Sequence, residues 1–235
     1  MNIALIGYGK MGKAIEGLAK DRGHTIVLRT NRSGFQDEDL QGADVAIEFT
    51  SPEAGYENIM KCVRSGVPVV CGTTGWLDHW ENAVKAVEKH KGTLFYASNY
   101  SLGVNLFFAL NKKLARLMDP FDNYDVQMTE IHHTQKKDAP SGTAITLAEG
   151  ILENLRRKSD WTLDAPPSSD QILIDAKRID PTPGTHIVEY SSDIDSIEIK
   201  HTAHSRKGFA LGALIAAEWI NGKQGVYGMK DMLNL

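Results

Sequence analysis

Two hydrophobic periods alternate along the first hundred residues. Short apolar runs at 2–6, 25–28, 43–50, 68–71 and 94–97 have the length of buried strands. Between them, residues 13–23, 51–66 and 77–90 carry apolar side chains at helical spacing, and Pro52 sits in a favourable first turn. Residues 33–42 are polar and acidic and read as a loop with a short helical turn. Five alternating units predict an α/β fold around a doubly wound parallel sheet.

The pattern then changes. Residues 102–117 predict a helix with Leu106, Leu110 and Leu114 at four-residue steps, stopped by Asp119-Pro120. Residues 125–131 alternate Val126, Met128 and Glu130 on one face with Gln127, Thr129 and Ile131 on the other, a strand ending at His132 and His133. Ala144, Leu147, Ala148, Ile151, Leu152 and Leu155 recur at helical spacing, and Pro140 with Ser141 marks that helix's start. Residues 159–183 hold Pro166, Pro167, Pro181 and Pro183 and read largely as loop. Residues 186–191 and 196–200 look like a hairpin, which suggests a second, smaller α+β domain. A last helix runs from Gly208 through Leu211, Leu214, Ile215 and Ile220 to Asn221-Gly222, and the tail 225–235 offers Tyr227, Met229 and Met232 for burial.

Composition narrows the function classes. A chain of 235 residues with 42% hydrophobic content builds ordinary cores. A net charge of −4 argues against a nucleic-acid or anionic-membrane partner, which would demand a basic excess. No apolar run approaches the roughly 20 residues of a membrane span, and MNIALIGYGKMG has no charged region ahead of its apolar run. Cys62 and Cys71 read as small buried hydrophobes, and a reducing cytoplasm is expected.

Two stretches carry chemistry. Gly7-Tyr8-Gly9-Lys10-Met11-Gly12 satisfies G-x-G-x-x-G between a strand and a helix: Gly7 for the tight turn, Gly9 for approach of a pyrophosphate, Gly12 for close packing. Gly72-Thr73-Thr74-Gly75 and Ser98-Asn99-Tyr100-Ser101 follow later strands at their carboxyl ends, where such sheets place ligands. After the second strand stands Arg29-Thr30-Asn31-Arg32, with no acidic residue to clasp a ribose diol and with arginines suited to a 2′-phosphate. The second stretch, 129–146, gathers His132, His133, Lys136 and Lys137 in front of a helix start whose N–H groups at Ser141, Gly142 and Thr143 favour an anion. The implied ligand is small, multiply carboxylated and in need of a proton. No metal is expected, because adjacent histidines on a strand face opposite ways and no Cys, Asp or Glu completes a ligand set at metal spacing.

The glycine motif, Gly72-Thr73-Thr74-Gly75, Ala97-Ser98-Asn99-Tyr100-Ser101, Glu130-Ile131-His132-His133 with Lys136, Asp138-Ala139-Pro140-Ser141-Gly142-Thr143-Ala144 and Val226-Tyr227-Gly228-Met229-Lys230-Asp231 together resemble the 4-hydroxy-tetrahydrodipicolinate (dihydrodipicolinate) reductase family of lysine and diaminopimelate biosynthesis. The resemblance implies NADPH- or NADH-dependent reduction of a cyclic dicarboxylate with loss of water. It implies a Rossmann-type dinucleotide domain at 1–100 plus 208–235, and a substrate and oligomerisation domain at 101–207 forming a homotetramer. It makes His132 the acid/base and Lys136 the proton donor, with His133, Ser141, Gly142 and Thr143 on the substrate. Gly7 to Gly12, Arg32, Gly72 to Thr74 and Ala97 to Tyr100 are then expected on the cofactor. Where relatives often carry an acidic residue this chain has Asn31-Arg32, so NADPH is expected to serve at least as well as NADH. Another imine or amino-acid dehydrogenase, or a dinucleotide-sensing regulator, would share the fold; a regulator would have no use for the His/Lys pair.

Overall fold

The computed structural model describes residues 1–31, 34–205 and 207–235. Arg32, expected on the cofactor, lies outside the described residues, as does Ser33 of the 33–42 loop. The chain forms two units, Met1–Leu102 with Lys207–Leu235, and Gly103–Arg206.

The first unit opens with β1 (Asn2–Ile6), α1 (Lys10–Asp21), β2 (Thr25–Thr30), β3 (Val45–Glu48), α2 (Pro52–Arg64), β4 (Val69–Cys71), α3 (Trp80–His90) and β5 (Thr93–Tyr96). Helix α1 starts three residues earlier than its apolar spacing suggests, because Gly9 serves as N-cap and the glycine turn leads straight into it. Strands β1, β3 and β4 are buried almost throughout, as apolar runs covered on both faces must be.

The second unit is contiguous. It holds α4 (Leu102–Met118), β6 (Asp125–His132), α5 (Gly142–Leu152), β7 (Asp160–Thr162), β8 (Gln171–Arg178), β9 (Gly184–Ser191) and β10 (Ser196–Ala203). Its sheet runs β10-β9-β6-β8-β7. Strands β6, β9 and β10 pair antiparallel, whereas β8 lies parallel to both β6 and β7. The expected loop at 159–183 is therefore wrong over much of its length. Ile172 and Ile174 are wholly buried at strand alternation, and the prolines flank the strands rather than interrupt them. Lys158, buried ahead of β7, ties the segment down by donating to the carbonyls of Ser169 and Gln171, each at 2.9 Å, and pairing with Asp125 at 2.7 Å.

Helix α4 covers the stretch read as a helix. Its buried face is Val104, Phe107, Asn111, Ala115 and Met118, while Leu106 and Leu110 stand about half exposed. Leu114, the third of the four-residue steps, is partly buried against the core. Inside, Phe107, Ala115, Met128, Leu147, Ile151, Ile174 and Tyr190 form one core.

Three elements complete the first unit: α6 (Lys207–Ile220), β11 (Gly225–Tyr227) and α7 (Met229–Leu233). The tail is thus a strand and a short helix. Strand β11 pairs parallel with β5, giving an all-parallel sheet in the order β11-β5-β4-β3-β1-β2. One face packs on α1 and α6 through Ile15, Ala19, Ala213, Leu214 and Ala217, the other on α2 and α3 through Ile59, Cys62, Ala83 and Val87. Gly212 is required where α6 crosses Tyr100, since a Cβ there would stand 1.8 Å from that residue's carbonyl oxygen. Among the described residues no helix is long and apolar enough to cross a membrane.

Candidate active site

In the first unit the turn after β1 is built by exclusion. Gly7 has φ +96°, and a Cβ there would stand 1.9 Å from the Phe49 carbonyl oxygen; one at Gly12 would stand 2.5 Å from the Gly7 oxygen. A Cβ at Gly9 would meet no described atom within 4 Å, so the backbone there is open to a ligand. Beside it lies a cavity of about 720 Å³ lined by Gly7, Tyr8, Gly9, Thr30, Asn31, Thr50 and Asn58. An adjoining hollow is lined by Lys10, Met11, Gly72, Thr73 and Thr74. Open glycine backbone at the start of α1, flanked by a roomy cavity, fits a dinucleotide pyrophosphate with its adenosine half.

Other residues expected on the cofactor serve the fold. Gly72 has no room for a side chain, which would strike the Phe49 ring at 2.1 Å. The Thr73 hydroxyl accepts the Thr50 N–H at 2.7 Å. Tyr100 is buried, its hydroxyl donating to the Cys71 carbonyl at 2.7 Å. Ala97, Ser98, Asn99 and Tyr100 line neither hollow. Thr50, Ser51 and Asn58, which sequence reading passed over, do line the larger one, at and just beyond the β3–α2 junction. The carboxyl-end position of Thr50-Ser51 was the available signal.

In the second unit, β6 delivers its histidines to the start of α5. His132, the last residue of β6, is buried, and His133, just beyond it, is partly exposed. Lys136 lies in the following loop, its ammonium donating to both oxygens of Asp138 at 2.8 and 2.7 Å. Ser141 caps α5, its hydroxyl accepting the Ala144 N–H at 3.2 Å. The Ser141 N–H, expected to face an anion, is already donated to Glu130 at 3.0 Å, so this buried residue organises the helix start. Gly142 and Thr143 remain. A Cβ at Gly142 would meet no described atom within 4 Å, and no described group accepts the N–H of either residue. The helix start keeps two anion-facing donors.

Three residues that sequence reading missed sit behind His132. Glu130, two positions earlier on the same face of β6, is fully buried and accepts Arg178 Nη2 at 3.1 Å. His186, from β9, meets the Ser141 hydroxyl at 3.2 Å through Nε2. The His132 and His186 rings lie edge to face, 5.1 Å apart. Burial opposes ionisation of Glu130, but Ser141, His132 and Arg178 outweigh it and hold its pKa below the usual carboxylate value. Burial lowers the pKa of His132, helped by Lys136 and Arg178 and opposed by Glu130 and Asp138. The imidazole is therefore neutral at pH 7 beside an ionised carboxylate. Glu130, His132 and His186 each bring one donor atom within 4.8 Å of the others, so a carboxylate does join the histidine, contrary to the spacing argument. Both Glu130 oxygens already accept hydrogen bonds, Oε2 from the Ser141 N–H and Oε1 from Arg178.

Comparison with known proteins agrees over both units. A family model for dihydrodipicolinate reductase, N-terminus, matches residues 1–100, and one for dihydrodipicolinate reductase, C-terminus, matches residues 103–233. A 4-hydroxy-tetrahydrodipicolinate reductase of Christiangramia forsetii is 51% identical over 236 residues, covering 100% of this chain and 98% of that relative. Another, from Neisseria gonorrhoeae, is 37% identical over 94% of this chain and 84% of its own length. Among solved structures, a dipicolinate-bound dihydrodipicolinate reductase from Paenisporosarcina sp. TG-14 aligns with TM-score 0.78 at 23% identity, covering 99% of each chain. An amine dehydrogenase from Mycobacterium smegmatis aligns with TM-score 0.62 at 12% identity over 96% of this chain and 94% of its own. At these identities the two structures are alike in fold.

Proposed function

The chain belongs to the dihydrodipicolinate reductase family, and from that premise we propose how its own residues carry the reduction of 4-hydroxy-tetrahydrodipicolinate to tetrahydrodipicolinate with a nicotinamide cofactor. The balance requires loss of one water and gain of one hydride and one proton. The cofactor, when bound, supplies the hydride; the protein must hold it, hold the substrate's carboxylates and move protons.

Holding the cofactor falls to the open backbone at Gly9 and the start of α1, with Thr30, Asn31, Thr50 and Asn58 around the adenosine half. The described residues at the end of β2 present no carboxylate to that cavity, which supports use of NADPH at least as readily as NADH, with Arg32 on the 2′-phosphate. One substrate carboxylate is received by the N–H groups of Gly142 and Thr143 and the Thr143 hydroxyl, and His133 and Lys136 add donors. Lys136 donates a proton to the substrate, and His132, neutral at working pH, exchanges protons as acid and base.

The observation that carries this reading is the buried His132 at the end of β6, in the same unit as an α5 start with two uncommitted N–H groups. A coupled assay of NADPH or NADH loss with freshly prepared substrate tests it, and no turnover with either cofactor refutes it. The enzyme works in the cytoplasm as a homotetramer; the exposed face of the edge strand β10, with Ile197, supports self-association.

A further inference from the structure

Glu130 collects four groups although it is fully buried. Ser141 N–H donates to Oε2 at 3.0 Å and Arg178 Nη2 to Oε1 at 3.1 Å. His132 Nδ1 and His186 Nε2 lie 3.6 and 3.8 Å from Oε2. The buried His132 Nδ1 has no hydrogen-bond partner among the described residues. At 3.6 Å it is aimed at the carboxylate but not yet bonded to it, a gap of the kind that closes when an active site tightens around its ligand.

A neutral imidazole carries its proton on one nitrogen only. A lone pair on Nδ1 would face an anionic oxygen, whereas an N–H there is attracted to it, so the proton belongs on Nδ1. Nε2 then carries the lone pair. On that side stands Gly184 of β9, where a Cβ would lie 3.2 Å from Nε2. Gly184 is outside the left-handed backbone region, so its lack of a side chain serves space and not conformation.

We propose that Glu130 is a positioning residue acting through His132: it holds the Nδ1–H form, directs the Nε2 lone pair into the space left by Gly184, and ties that ring to the start of α5 through Ser141. When Nε2 accepts a proton, the charge formed on the ring is balanced by Glu130, whose own bonds do not change. The other charged or titratable groups facing the ring are Lys136 and Asp138 from the following loop, Arg178 from β8 and His186 from β9. The inference rests on the acid/base reading of His132, and its test separates the two.

Long-range ¹⁵N–¹H NMR of the histidine rings in the full chain reads the tautomer directly, with the His132 signals assigned from His132→Gln. Wild type is expected to show the proton on Nδ1. Glu130→Gln is expected to abolish that preference, to lower the His132 titration by about one unit or more, and to move the pH–rate limb with it while substrate KM stays put. A role in folding alone would move none of these. A wild-type proton on Nε2, or an unchanged tautomer and titration in Glu130→Gln, overturns the proposal. Gly184→Ala keeps it testable if Glu130→Gln does not fold, because alanine suits a strand better than glycine. It should retain thermal stability and lose kcat about three- to ten-fold by displacing the ring a few tenths of an ångström; unchanged kcat overturns the spatial role of Gly184. If the NMR behaves as expected but His132→Gln keeps full turnover, the positioning stands and the acid/base role of His132 is what fails.

Discussion

The guanidinium of Arg29 grips the carboxylate of Glu16 through two hydrogen bonds, 3.2 Å from Nε and 2.8 Å from Nη2, with Tyr8 also donating to that carboxylate. Arg29 further lies over the Tyr8 ring, 5.8 Å from its centroid. The hydrogen bonds from Arg29 first, then those from Lys20 and Tyr8, hold Glu16 far below the usual carboxylate range. One of the two arginines open to a 2′-phosphate is thus already paired with an anion. Arg32→Ala should weaken NADPH about ten- to a hundred-fold and leave NADH nearly unchanged, as loss of a charge-assisted hydrogen bond would. Parallel KM and Kd measurements with both cofactors check this; a clear wild-type preference for NADH would contradict it.

His132→Ala and Lys136→Ala should each lower kcat by about 10² or more, the usual contribution of a positioned acid or base. Cofactor affinity should survive in both. Single-turnover kinetics combined with NADPH titration separate the two quantities, and near wild-type turnover in either variant removes that residue from the chemistry.

Thr143→Val removes one hydroxyl donor at the start of α5 and should chiefly raise substrate KM, by about ten-fold or more, since a hydrogen bond to a charged group contributes roughly 1.5–3 kcal/mol. Steady-state kinetics decide it. An unchanged KM would take the Thr143 hydroxyl off the carboxylate.

Stability should fall in acid through His186. Burial first, then His132, His201 and Lys136, against Glu130, lower its pKa from the ordinary 6.5 to about 4. Between those values the unfolded chain binds a proton that the folded chain refuses, so the stabilisation is complete above pH 6.5 and is lost as pH falls toward 4. The full effect is ~3 kcal/mol. Urea unfolding at stepped pH should show this slope in wild type and a shallower one in His186→Phe; equal slopes would assign the acid sensitivity elsewhere.

Self-association is checked by light scattering. A tetramer is expected at micromolar concentration, and a monomer would contradict it.

Much of this architecture was legible in the chain. The glycine turn, the parallel strands and the start of α5 each announce themselves locally, through apolar run length, helical spacing and a Pro-Ser start. Strand alternation also placed Val126, Met128 and Glu130 on one face and His132 at the strand's end. The partners that give Glu130 and His132 their character were not legible, because they come from distant strands. Arg178 sits in the tract whose prolines suggested loop, and the pairing of His186 with Glu130 is a register fact of β6 on β9. Helix α4 was legible as a helix from its regular leucines, but not its buried face, which uses Val104, Phe107 and Ala115 beside the polar Asn111, whose amide donates to the Leu147 carbonyl at 2.9 Å.

The interrupted chain path of the first unit has a consequence for biosynthesis. Its α1-side core needs Ala210, Ala213, Leu214, Ala217 and Met229, and the edge of β5 is closed by β11, all supplied by residues 207–235. A ribosome delivers the whole of the second unit before any of these. The second unit can therefore fold while the first, translated earlier, still waits with one sheet face covered by α1 alone and one strand edge bare, and it is that nascent state which most needs a chaperone's cover.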